Sequence, residues 1–164
     1  MRPKLVAIAL VGLLSVMPAW AKKGEAKFKS MEVRHFSRVE GVEIPPEFPD
    51  FLYAAVREEL EKSGLFKEMT GENEVVDPAD APQSFILDGS ILEYGKGSVA
   101  KAVIIGFGVG RRSLRIKLTV HRRSDNQTVL DEELKVRSPA QWKPAVLAKS
   151  VAKKIAGEIK RGLK

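Results

Sequence analysis

The chain has no cysteine and only two histidines, two tryptophans and two tyrosines in 164 residues. Each shortage excludes something. Without cysteine there is no disulfide framework and no cysteine-ligated zinc or iron–sulfur centre. His35 and His121 sit on strand-like patterns and in no H-E-x-x-H spacing, so they read as structural or solvent-facing residues rather than ligands or bases. There is no G-x-S-x-G nucleophile elbow and no G-x-x-x-x-G-K-[ST] phosphate loop. Long apolar runs are missing as well. The run at residues 5–17 has 13 residues, against the ~20 that a membrane-spanning helix needs.

That run has a different meaning. Arg2 and Lys4 precede it, Pro18 breaks it, and Ala19-Trp20-Ala21 forms a small-x-small cleavage site. Residues 1–21 therefore read as a secretory signal peptide cleaved after Ala21. No cysteine follows to carry a lipid, so the expectation is an exported, periplasmic chain that is not a lipoprotein. Residues 22–164 then form a single domain, with 22–29 as a flexible basic lead-in and no transmembrane segment.

Periodicity supplies the elements. Residues 31–39 read as a first strand, with Met31 and Val33 alternating. Prolines 45, 46 and 49 lead into a helix over 48–62, whose apolar stripe is Phe48, Phe51, Leu52, Ala55, Val56 and Leu60. Gly64 is placed to end it in the left-handed conformation, with Leu65 packing back. Residues 66–69 are a short strand. Residues 85–94 are a central strand, with Phe85, Leu87 and Ile91 on one face and Ile86, Leu92 and Tyr94 on the other.

Residues 113–123 alternate most clearly. Leu114, Ile116, Leu118 and Val120 face inward, while Arg115, Lys117, Thr119, His121 and Arg123 face outward. A turn at Ser124-Asp125-Asn126, with Asn126 left-handed, pairs this strand with residues 129–137. That register sets Lys117 opposite Glu133 and Thr119 opposite Asp131, and leaves Glu132 on the apolar face beside Leu118. A closing helix over 144–163 carries Ala148, Val151, Ala152, Ile155, Ala156, Ile159 and Leu163 inward. The fold class is α+β: a two-layer sandwich, with a mixed, mostly antiparallel sheet of 4–5 strands and two helices on one face.

From about residue 85 to 163 the arrangement resembles the bacterial envelope family called domain of unknown function 4410. The resemblance rests on a strand containing Gly89, the segment Gly106-Phe107-Gly108-Val109-Gly110 feeding a long strand, a polar turn, a second strand and an amphipathic end helix. It implies an exported envelope protein without an established activity. The chain departs from the pattern in lacking a lipid-carrying cysteine and in having His121-Arg122-Arg123 before the turn, where aspartate is commoner.

The glycine segment opens a strand rather than a helix, so no helix N-terminus faces a phosphate there. Gly106, Gly108 and Gly110 read as structural glycines permitting a bend or close backbone packing. Phe107 beside them is a candidate contact residue. Adjacent Glu132 and Glu133 point to opposite faces, and Glu58, Glu59 and Glu61 lie on the outer face of the first helix. No nucleophile, base and oxyanion donor assemble from these residues, and no cofactor is implied.

Charge is unevenly placed. Residues 22–39 carry 6 basic and 2 acidic side chains, 40–80 carry 3 and 12, and 81–164 carry 17 and 7, within a net charge of +7. An exported basic surface does not ordinarily meet nucleic acid, so the expected partner is an envelope protein or an anionic envelope surface. The candidate binding residues are Arg111, Arg112, Arg115, Lys117 and Arg123, together with Phe107. Internal neutralisation of basic strands by the acidic region is the competing expectation. The function expected is a non-catalytic binding or adaptor module of the envelope. A periplasmic small-ligand or lipid carrier is the alternative, and a small exported enzyme the weaker one.

Overall fold

The computed structural model describes residues 25–96, 112–139 and 143–163. In chain order the elements are β1 (Phe28–Val33), β2 (Ser37–Arg38), α1 (Phe48–Ser63), β3 (Phe66–Thr70), a 3₁₀ turn (Ala81–Gln83), β4 (Ser84–Gly95), β5 (Arg112–Arg122), β6 (Thr128–Ser138) and α2 (Pro144–Gly162). The strands form one mixed sheet in the order β3-β1-β4-β5-β6, with β2 continuing alongside β4 beyond the end of β1. Pairings among β1, β2, β3 and β4 are parallel; the longer β4–β5 and β5–β6 ladders are antiparallel. This is the expected α+β sandwich, with one short strand more than predicted.

Helix α1 ends as its sequence dictates. Gly64 adopts φ 63° and its N–H donates to the Glu61 carbonyl, closing the last turn. Phe48, Leu52, Ala55, Val56 and Leu60 are buried, but Phe51 is 42% exposed and falls off the predicted stripe. On α2, Leu147 joins the buried stripe although the pattern omitted it. The two helices pack on each other and on Met31, Val33, Leu87, Ile91, Leu114, Ile116 and Leu118 of the sheet, which are all essentially inaccessible.

Two details differ from the predicted strands for packing reasons. The predicted first strand is broken after Val33, because Phe36 turns inward and lies on Gly89 of β4, where a Cβ would stand 2.2 Å from its ring. In β4, a bulge between Ile91 and Glu93 inserts Leu92 as an extra residue. The shift moves Tyr94 opposite Leu114, on the core side, where its ring packs 5.3 Å from that of Phe48.

The β5–β6 register holds as predicted from Arg115 through Val120: Lys117 faces Glu133, Thr119 faces Asp131 and Leu118 faces Glu132. Asn126 is left-handed at φ 54°. The register then slips, so His121 faces Thr128, and the loop runs five residues rather than three. Glu132 is exposed despite its inward parity. Among the described residues strand β6 is the sheet's edge, and Glu132 is exposed on its inner side there, which removes the burial cost the pattern implied.

Candidate functional site

The helix-free face of β5 is basic in sequence but paired in space. Arg115 Nε lies 3.4 Å from both Glu93 on β4 and Glu133 on β6, and Lys117 Nζ lies 3.3 Å from Asp131. The register opposes Lys117 to Glu133, yet its ammonium takes the diagonal neighbour. Arg122 binds Asp125 within the turn at 3.0 Å. Cross-strand pairs of this exposed kind contribute about 0.2–1 kcal/mol each. Their larger effect is to cancel the charge that the strand alone presents.

Arg123 is committed more deeply. It ion-pairs with Glu32, which is only 1% exposed on β1, and Arg34 Nε donates to the other Glu32 oxygen at 3.0 Å. The Asn73 backbone N–H adds a third donor at 3.4 Å. Burial by itself pushes the Glu32 carboxyl up; hydrogen bonds from Arg34, Arg123 and Asn73 outweigh it and leave the group below its ordinary value. Arg34 in turn reaches Asp88 at 3.3 Å, and His121 Nε2 stands 4.0 Å from the same carboxylate.

The cover over Glu32 is the connection from β3 back to β4. After Thr70 the chain crosses the helix-free side of β1, with the Asn73 N–H on Glu32 and the Glu74 carbonyl accepting from Arg123 at 3.4 Å. It is pinned further by Lys29–Asp80 at 2.8 Å and by Ser84 Oγ on the Asp80 carbonyl at 2.8 Å. This crossing explains why Ser30, Glu32 and Ser84, all polar, are 0%, 1% and 0% exposed. Sequence reasoning missed Glu32 as a hub, since nothing local marks a carboxylate whose partner lies 91 residues away.

A second feature lies where β4 ends, β5 begins and both helices start. A cleft of about 530 Å³ is lined by Arg38, Glu43, Ile44, Pro45, Tyr94, Lys96, Arg112 and Pro144. Lys96 and Glu43 pair at 2.7 Å, which lowers the Glu43 carboxyl and raises the Lys96 ammonium. Among the described residues the Arg38 and Arg112 side chains make no hydrogen bond or ion pair, and Arg112 Nε is shielded from solvent without an acceptor. Partial positive charge at the starts of α1 and α2 adds to the same end of the molecule.

Of the nominated binding residues, then, Arg115, Lys117 and Arg123 have internal carboxylate partners and Arg112 lines the cleft. Arg111, Phe107, Gly106, Gly108 and Gly110 lie outside the described residues, as does the predicted signal peptide at 1–21.

A family model matches residues 40–142, from the loop before α1 to just short of α2. The chain belongs to this family, the domain of unknown function DUF4410. The match reaches upstream of the resemblance read from the sequence, taking in α1, β3 and the crossing over Glu32, and stops before the closing helix. No curated protein matches this DUF4410 chain in sequence.

Solved structures share its fold at low identity. The PelC dodecamer from Paraburkholderia phytofirmans superposes with a TM-score of 0.55 at 12% identity, covering 79% of this chain and 87% of that one. A hypothetical protein from Chlamydia trachomatis gives 0.53 at 11%, covering 81% and 96%. A Xanthomonas campestris protein matching the family model DUF330 gives 0.51 at 13%, covering 87% and 85%. These likenesses establish the architecture.

Proposed function

We propose that this DUF4410 chain is an exported, non-catalytic binding module of the bacterial envelope, holding an anionic group of its partner in the cleft between Arg38 and Arg112. Export rests on the charged start, apolar run and Ala19-Trp20-Ala21 site at residues 1–21, removed after Ala21. The binding reading is carried by one observation: these two guanidiniums line a common cleft without carboxylate partners among the described residues, while Arg115, Lys117 and Arg123 all have them. Arginine's planar fork suits carboxylate or phosphate, and Tyr94 supplies an adjoining aromatic wall.

The partner is an envelope protein or an anionic envelope surface. Crosslinking in intact cells, followed by mass spectrometry, is expected to recover it with the wild-type chain. The double variant Arg38→Glu/Arg112→Glu should reduce recovery about tenfold or more, because it turns two attractive charges into repulsive ones facing the bound anion. Arg115→Glu/Lys117→Glu should leave recovery nearly unchanged. The reverse pattern would move the binding surface to the β5 face and refute the cleft.

A further inference from the structure

We propose that two copies of the chain pair through their β6 edges, antiparallel and centred on Leu134, into one continuous sheet. Among the described residues, strand β6 is the last in the sheet and is bonded only to β5. Its helix-free side reads Asp131, Glu133, Lys135, Arg137, two acids followed by two bases, all exposed. Asp131 and Glu133 already meet Lys117 and Arg115, but Lys135 and Arg137 make no ion pair among the described residues.

An antiparallel partner of the same sequence answers this pattern at one register. Centred on Leu134, Lys135 faces the second copy's Glu133 and Arg137 faces its Asp131, and the two-fold axis repeats both pairs. That makes four complementary contacts, each extending a ladder already begun by Arg115 or Lys117. Moving the centre to Glu133 or Lys135 sets that residue against its own copy, a like-charge repulsion. Centres between residues are excluded, because they would oppose the two faces of the sheet. A two-fold axis of this kind also closes the assembly at two copies.

The other side of the strand agrees. Glu132 is exposed on the helix side without an ion-pair partner among the described residues. Lys154 of α2 reaches over the edge and donates to the Lys135 carbonyl at 3.0 Å. In the paired sheet, Lys135 lies beside residues 132 and 133 of the other copy. Lys154 can then exchange that carbonyl, which the second strand needs, for the second copy's Glu132 carboxylate. In the single chain the same lysine and the inward-parity glutamate shield the edge from indiscriminate pairing.

The test uses the full chain as purified, with sedimentation and native mass spectrometry as readouts. Wild type is expected to be dimeric at micromolar concentration. Lys135→Glu/Arg137→Glu and Asp131→Lys/Glu133→Lys should each be monomeric alone, since each makes all four contacts repulsive. Mixed together they should form a heterodimer, because every contact is then complementary again. Because the chain holds no cysteine, Leu134→Cys should oxidise to a covalent dimer, whereas Lys135→Cys, which faces residue 133 of the other copy, should not. A monomeric wild type that L134C fails to crosslink overturns the proposal. So does an oligomer that survives both charge reversals. Should the Asp131→Lys/Glu133→Lys chain fail to fold, the contrast between L134C and K135C decides the register by itself.

Discussion

Replacing Glu32 by glutamine should destabilise the fold by about 3 kcal/mol at neutral pH, measured as a lower midpoint in urea with an unchanged slope. The side chain is 1% exposed and receives hydrogen bonds from Arg34, Arg123 and the Asn73 N–H. A glutamine of the same shape leaves Arg123 without a counter-charge and Arg34 with Asp88 alone, and its own NH₂ points at donors. Breaking a buried ion pair from one side costs about 3–5 kcal/mol. The lower end applies here because Arg34 is 42% exposed and remains partly hydrated.

The same group sets a pH dependence with a definite sign. Glu32 is held below its ordinary value of 4.5 in the folded chain. Its contribution is therefore fully present above 4.5 and is lost as pH falls through the depressed folded value. The gap between wild type and Glu32→Gln should shrink steadily below about pH 4.5, as the wild-type carboxyl becomes protonated. A gap that stays constant down to pH 2 would mean that Glu32 carries no net stabilising charge.

Replacing Gly89 by alanine should cost about 1–3 kcal/mol, where the same change in an ordinary strand interior stabilises. The difference is Phe36. Its ring is 4% exposed and occupies the place of the missing Cβ, with two ring carbons at 2.2 Å. Either the ring leaves its pocket or β4 moves away from it. A double-mutant cycle separates this clash from intrinsic strand effects. Phe36→Ala on its own should cost about 3–5 kcal/mol through loss of a buried aromatic. In that background Gly89→Ala should be neutral or favourable. Additive costs would show that Phe36 is not what excludes a side chain at position 89.

Much of the local structure was legible because its signals are local. The heptad-like stripe from Phe48 to Leu60, Gly64 as the left-handed stop, and the two-residue alternation of β5 all follow from which side chains must leave water together. The register that places Lys117 against Glu133 follows from the same alternation on both sides of a short turn. Tyr94, by contrast, lies on the face opposite to the one its parity predicts. A bulge is a one-residue insertion with no compositional mark, and it inverts everything after it.

The sequence by itself determined that this chain builds two amphipathic helices over a mixed sheet, and that its second half is rich in positive charge. Only the tertiary structure decided which of those charges remain without an internal partner. Arg123 lies 91 residues from Glu32, and Arg115 meets glutamates from two different strands. Such pairings depend on strand order and on the path of residues 71–83 over β1, neither of which periodicity encodes. Burial is a property of one residue and its near neighbours, so the chain states it openly. Neutralisation is a property of pairs brought together by topology, and it is the reason the proposed site is the cleft at Arg38 and Arg112 rather than the β5 face.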